Sequence, residues 1–365
     1  MDKVRVGLIG SGFVSAIHGE ALKRVPAAEV VAVASPNHAG EFAARHNIRH
    51  WFADYRHMLD IKDLDMVVLG LPNDLHCQAT VDAAAAGKHV VCEKPMAMNL
   101  AEADRMIEAC HRAGVKLMYA EELCFAPKYV RLKQLVDEGA LGSIYLVKQS
   151  EKHSGPHSAW FWDVSRSGGG VTMDMGCHAI QFFRWMLGQP RAESVYAEMR
   201  SSVHQDKTAG DDHSLIIVNF DGGASGLAEE SWVKPGGMDD CAEVYGSEGV
   251  AYADLLQGSS ILTYSERGVG YAVEKAGLTR GWSFTMYEEM WNYGFPQEFE
   301  HFVDCVRHDQ RPLVTGEDGR TVLEIVFAAY EAARTGRRVT LPFHTDARAP
   351  IELWRRRWGP WLPAH

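Results

Sequence analysis

Short apolar runs and helical stripes alternate through the first third of the chain. Val4–Ile9 reads as a strand and Ala16–Arg24 as a helix; Glu29–Ala34 and Ala39–His46 repeat the pair. Asp65–Leu71 is followed by helical Leu75–Ala86, His89–Cys92 by helical Leu100–Ala113, and Lys116–Tyr119 opens a further strand. Runs that are apolar on both faces and separated by helices predict parallel βαβ units, with helices covering both sides of one sheet.

The pattern then changes. Pro127–Glu138 reads as a helix and Ser143–Ser150 as a strand. Strands follow in succession at Ser194–Arg200, Ser214–Phe220, Ser225–Ser231, Ala242–Tyr245 and Ile261–Tyr264. Asn219–Gly223 carries the Asp-Gly signal of a hairpin turn between two of them. Helices are expected at Met175–Leu187, Gln297–Arg307 and Glu317–Thr335, covering this sheet or packing back on the first domain. The fold class is therefore α/β followed by α+β: a parallel-sheet α/β domain over residues 1–121, then an open, mainly antiparallel sheet domain over 122–345. The tail, 346–365, holds Trp354, Trp358 and Trp361 around Arg355–Arg357, and is expected to dock on its own subunit or a neighbour.

Composition adds exclusions. The 365 residues, 46% hydrophobic and 23% charged, rule out disorder and suit two domains at ~150 residues each. The net charge of −11 argues against nucleic acid as a partner. Seven scattered cysteines without a Cys-x-x-Cys pair read as reduced thiols. The opening residues do not form a signal peptide, and no apolar run approaches the roughly 20 residues that cross a bilayer. A soluble cytoplasmic chain with no membrane partner is expected.

The densest chemistry begins at Gly10-Ser11-Gly12-Phe13-Val14-Ser15, between the first strand and first helix. Gly10 suits a tight turn and Gly12 a close approach of pyrophosphate. Phe13 and Val14 lead into a helix whose N-terminus faces phosphate, and Ser15 is small enough for helix–strand packing. Ser35 ends the second strand where an acidic residue would bind both ribose hydroxyls; no arginine follows at once, so NAD is favoured with NADP left open. Pro72 and Asn73 follow the third strand of this pattern, at the crevice end of a parallel sheet; Asn73 or Asp74 serves equally as a helix cap, and His76 reads as structural. Glu93-Lys94-Pro95 ends the next strand, where a lysine would hold a substrate oxygen.

A second cluster is Gly168-Gly169-Gly170 leading to Asp174 and His178. On a helix these two share a face, where a carboxylate and an imidazole can bind a diol and take its proton; an exposed pair is the plainer alternative. Upstream lies a polar, aromatic loop with His153, His157, Trp160, Trp162 and, beyond it, Arg166. Its aromatic faces beside hydrogen-bonding groups suit a sugar ring, or simply a folded-over loop. No metal is expected, because Gly155-Pro156 breaks the helix that His153 and His157 would need.

Taken together, Gly10–Ser15, Pro72-Asn73 with His76, Glu93-Lys94-Pro95 and Asp174-Met175-Gly176-Cys177-His178 resemble the Gfo/Idh/MocA oxidoreductases. So do Gly246–Gly249, Thr315–Arg320, Ala329–Glu331 and Thr335–Arg337. The resemblance implies a Rossmann domain joined to an open sheet domain whose outer face associates subunits, hence a homo-oligomer. It implies that Lys94 is the active-site lysine, His178 the acid/base and Asp174 the substrate-positioning carboxylate. A sugar, glycoside or cyclitol would be the substrate. Redox-neutral, NAD-dependent glycosidases and sugar-sensing regulators share the resemblance. Departures stand at Ser35, at Gln181, where many relatives have aspartate, and at Tyr119–Glu122, where Glu121 is expected near the nicotinamide.

Overall fold

The computed structural model describes residues 3–256, 261–269, 279–285 and 289–355. The chain divides into two compact units: 1–125 with 293–321, and 126–292 with 322–365. Arg356, Arg357, Trp358 and Trp361 of the tail lie outside the described residues.

In the first unit, six strands form one parallel sheet: β1 (Val4–Ile9), β2 (Ala28–Ala34), β3 (His50–Phe52), β4 (Met66–Leu69), β5 (His89–Glu93) and β6 (Leu117–Ala120). Their spatial order is β3-β2-β1-β4-β5-β6, with every adjacent pair parallel. The strand order reverses direction beside β1, which makes the carboxyl ends of β1 and β4 a ligand crevice. The helices are α1 (Phe13–Leu22), α2 (Ala39–His46), α3 (Tyr55–Leu59), α4 (His76–Ala85) and α5 (Leu100–Ala113). Local chemistry sets their ends. Asn99 caps α5 by accepting from Glu102 N–H at 2.9 Å, and Gly114 closes it at φ +66°. Helix Phe295–Arg307 returns to this unit and packs on α1.

The second unit begins with α6 (Pro127–Asp137), which has proline at its start. Its main sheet uses β7 (Ile144–Lys152), β8 (Ala192–Arg200), β9 (His213–Phe220), β10 (Ser225–Ser231), β11 (Asp239–Gly246) and β12 (Val250–Asp254). The separate antiparallel hairpin is β13 (Ile261–Val269) with β14 (Thr279–Thr285), and β15 (Val339–Thr340) closes the main sheet. The order is β12-β11-β7-β10-β9-β8-β15, antiparallel except for the β7–β10 pair. Three short helices follow one another ahead of β8: α7 (Val164–Ser167), α8 (Val171–Asp174) and α9 (Gly176–Met186). Every residue of α9 is buried, and it packs on β7, β9 and β10. The alternation of β9 leaves Leu215 and Ile217 exposed on the opposite face. Tail residues Ile351, Leu353 and Trp354 are buried, and Ile351 N–H donates to Gly168 O at 3.0 Å.

The sequence pattern misses β3, β12, β14 and β15. Of these β3, β12 and β15 are edge strands with no fully buried position, so none of the three carries a buried apolar run.

Candidate active site

In the first unit, the residues singled out by sequence gather at the carboxyl ends of the parallel strands. Gly10 ends β1 at φ +116°, and a Cβ there would overlap the Gly70 carbonyl, so only glycine fits. A Cβ on Gly12 would meet no protein atom within 4 Å. That open space lies at the start of α1, which no side chain caps. An uncapped helix N-terminus beside a bare glycine suits a pyrophosphate, so this turn fits a dinucleotide. Ser15 is buried against Gly70, as close helix–strand packing demands. Phe13 is exposed on the same turn. At the end of β2, Ser35 Oγ accepts from Ser11 Oγ at 2.8 Å, so this rim presents paired hydroxyls where a carboxylate would otherwise stand.

Asn73 is buried just after Pro72. His76 is fully buried, with Nδ1 3.1 Å from Pro95 O and Nε2 3.0 Å from Leu71 O. Its ring therefore ties the loop after β4 to the loop after β5, and burial pushes its pKa down. Lys94 is partly exposed, and its N–H donates to Glu93 Oε2 at 3.1 Å. The other oxygen of Glu93 lies 2.8 Å from His18 Nε2, and His18 is fully buried, edge-on to Phe299.

Two more buried carboxyls complete this rim. Burial pushes Glu121 up to about 8, with Glu93 adding and Lys94 opposing. Burial also pushes Glu298 well above the usual carboxylate range, with Glu122, Glu93 and Glu121 adding to it. His18 and Glu298 were not singled out by sequence. Each occupies an ordinary position on an amphipathic helix, and only the packing of Phe295–Arg307 on α1 makes them neighbours of the rim.

In the second unit, α7 is capped by Asp163, which accepts from Ser165 N–H at 2.9 Å. Arg166 lies on this helix, and Gly168 ends it at φ +82°. After the glycine run, α8 carries Asp174 and α9 carries His178, both buried. The helix breaks at Met175 (φ −112°) between them. Trp232, fully buried after β10, donates its Nε1–H to Asp174 Oδ2 at 3.1 Å. Trp232 also joins Val171 and Met175 in a small core against which Phe161 and Trp162 pack.

The aromatic loop is folded over. Trp160 stacks on Phe161 at 3.9 Å between ring centroids, and Trp162 meets Trp232 edge-on at 5.3 Å. His153 is buried with its Nδ1 accepting from Gly155 N–H at 3.3 Å, while His157 is exposed, its ring 5.7 Å from that of His153. Gln181 is fully buried and accepts from Arg184 Nη1 at 2.7 Å. Trp232 escaped the sequence reading because a lone tryptophan at a strand end looks like core; so did Asp211, described below.

Residues 4–121 match the NAD-binding Rossmann domain of the Gfo/Idh/MocA oxidoreductases, and residues 129–252 match that family's C-terminal domain. The structure of GenD2 from gentamicin A biosynthesis, in complex with NAD, superposes with a TM-score of 0.88 at 30% identity, over 94% of this chain and 97% of that one.

The chain belongs to the Gfo/Idh/MocA family.

As a family member it is an oxidoreductase of the kind that acts on CH–OH groups, with a Rossmann domain for NAD. It is 28% identical to myo-inositol 2-dehydrogenase of Thermotoga maritima over 343 residues, which is 93% of this chain and 98% of that protein. It is likewise 28% identical to scyllo-inositol 2-dehydrogenase (NAD(+)) of Bacillus subtilis over 343 residues, 93% of this chain and 96% of that protein. No described helix is long and apolar enough to cross a membrane.

Proposed function

We propose that this oxidoreductase uses NAD to oxidise a secondary hydroxyl of a sugar, glycoside or cyclitol to a ketone, or runs the reverse reduction. The observation that carries this reading is the Trp232–Asp174 hydrogen bond, which holds a buried carboxylate at the end of the short helix just before the one that carries the buried His178. NAD, when bound, would supply the hydride acceptor for this oxidation. His178 takes the hydroxyl proton as the general base. Lys94 holds the same or a neighbouring oxygen and favours its alkoxide character. Asp174 accepts a hydrogen bond from an adjacent hydroxyl. Gly10, Gly12, Phe13 and Val14 form the pyrophosphate turn, Ser11 and Ser35 meet the ribose, and Pro72, Asn73, Glu93 and Glu121 border the nicotinamide end. NADP remains compatible with Ser35.

Trp160, Trp162, His153, His157 and Arg166 select the substrate. An aromatic loop of this kind can stack on the aglycone of a bulky glycoside. Subunits associate through the outer face of the second unit's sheet, where Leu215, Ile217 and Tyr252 are exposed.

The test is the dinucleotide that co-purifies, identified by mass and followed by absorbance as sugars, cyclitols and glycosides are added. NADH formation with a panel member is expected. Glycosidic cleavage with the dinucleotide unchanged would overturn the net oxidation, and a chain that neither carries nor binds a dinucleotide would overturn the whole reading.

A further inference from the structure

The glycine run Gly168–Gly170 ends against one carboxylate. Asp211, at the entrance to β9, is fully buried. Its Oδ1 accepts from Gly170 N–H at 3.1 Å, and its Oδ2 from Thr172 N–H at 2.9 Å. Its main-chain carbonyl accepts from Val171 N–H at 2.8 Å. One residue thus takes three consecutive main-chain donors at the start of α8, donors that a helix leaves unsatisfied by itself. Tyr330, fully buried in helix Gly316–Thr335, donates its hydroxyl to Asp211 Oδ1 and accepts from Gly170 N–H at 3.0 Å. Burial, followed by the nearby Asp211, holds the Tyr330 hydroxyl well above its usual pKa, so it stays a donor at neutral pH.

The glycines answer to this clamp. A Cβ on Gly170 would overlap the Asp211 carbonyl, and one on Gly169 would overlap the Tyr330 hydroxyl. A hydrogen-bond ladder runs on from the clamped residues. Asp174 N–H donates to Gly170 O at 3.1 Å, Met175 N–H to Val171 O at 2.8 Å, and His178 N–H to Met175 O at 3.0 Å. The next residue, Asp212, bonds the main chain of Trp232, the partner of Asp174. Its carboxylate accepts from the N–H groups of Ser202, Val203 and His204 at 2.7, 2.6 and 2.9 Å. Its carbonyl accepts from Trp232 N–H at 2.9 Å, and the Trp232 indole reaches Asp174.

We propose that Asp211, braced by Tyr330, is a positioning residue that sets where Asp174 and His178 present their side chains to the substrate. The proposal rests on the reading that those two residues handle the substrate. It assigns the Gly169-Gly170 pair a definite task, which is to let a carboxylate and a phenol close on the main chain that feeds the reacting groups.

The experiment compares Asp211→Asn, Tyr330→Phe and His178→Ala in the full chain, with the panel substrate that gives NADH. Melting temperature, the KM of NAD, the KM of the substrate and kcat are read for each. Asparagine keeps the shape but turns an amide toward one of the clamped donors. Asp211→Asn is expected to lower kcat about 30-fold while the KM of NAD stays within about twofold, because misplaced reacting groups lose rate steeply. Tyr330→Phe is expected to lower kcat about fivefold with the melting temperature little changed. Folded variants that keep wild-type kcat overturn the proposal, as does an equal loss of kcat and of NAD binding. If Asp211→Asn does not fold, Tyr330→Phe decides by the same criteria. An active His178→Ala overturns the catalytic reading and this proposal with it. An inactive His178→Ala beside fully active clamp variants overturns the positioning role alone.

Discussion

Trp232 and Asp174 lie 58 positions apart in the chain, yet the indole N–H of one donates to the carboxylate of the other at 3.1 Å inside a buried aromatic core. A hydrogen bond to an ionised acceptor contributes about 1.5–3 kcal/mol. Trp232→Phe keeps the packing and removes the N–H, so kcat/KM for the panel substrate that gives NADH should fall about tenfold. Steady-state kinetics check this, and an unchanged kcat/KM would mean that Asp174 is held by other groups.

His18 bears on the other reacting group. It is the buried partner 2.8 Å from Glu93 Oε1, while Glu93 Oε2 accepts the Lys94 amide. His18→Leu removes this polar neighbour from a buried carboxyl. Weaker NAD binding by fluorescence titration and a lower melting temperature are expected together. His18→Gln, which keeps a polar side chain beside Glu93, should recover part of both.

Glu121 makes stability fall as pH rises. Its folded pKa of about 8 lies above the ordinary 4.5, so between these values the folded chain holds a proton that the unfolded chain has released. Its contribution is therefore unpenalised below the lower value and fully penalised above the higher one. Melting temperatures at pH 5.5 and 8.5 should differ less in Glu121→Gln than in the parent. Glu298 shifts in the same direction, so some of the difference persists.

Cofactor choice turns on Ser35. Its hydroxyl accepts from Ser11, and an aspartate there would accept the same hydrogen bond while repelling a 2′-phosphate. Ser35→Asp should raise the ratio of NAD to NADP efficiency at least about tenfold. An unchanged ratio in parallel kinetic runs would place the ribose elsewhere.

Much of the site was legible because local chemistry repeats. Gly10 is demanded by its own φ and by the Gly70 carbonyl, and the strand–turn–helix context of Gly12 shows in the residues on either side. Glu93-Lys94 ends a strand that is apolar from Val90 to Cys92, so its place at the sheet's carboxyl edge follows from the pattern. His76 read as structural, and its two carbonyl contacts give the reason. The edge strands β3 and β12 stayed hidden because partly exposed strands need no apolar run. Asp211, Trp232, His18 and Glu298 stayed hidden because nothing within a few residues of any of them signals a partner, and Tyr330 stood out only within Ala329–Glu331, with no task attached.

Asp174 and His178, expected on one helix, lie on two, because the chain breaks at Met175. Periodicity and turn chemistry alone decided the parallel first sheet and the glycine turn after β1. Each depends on dihedral preferences and on burial patterns that span a handful of neighbours. Tertiary structure decided what holds those groups. The carboxylate that clamps Gly170 comes from 41 positions away, and the phenol that braces it from 160. The return of residues 293–321 to the first unit brings Phe299 against His18. The physical reason is that a buried polar group must find its partner wherever the packed chain supplies one. Sequence separation carries no record of that choice.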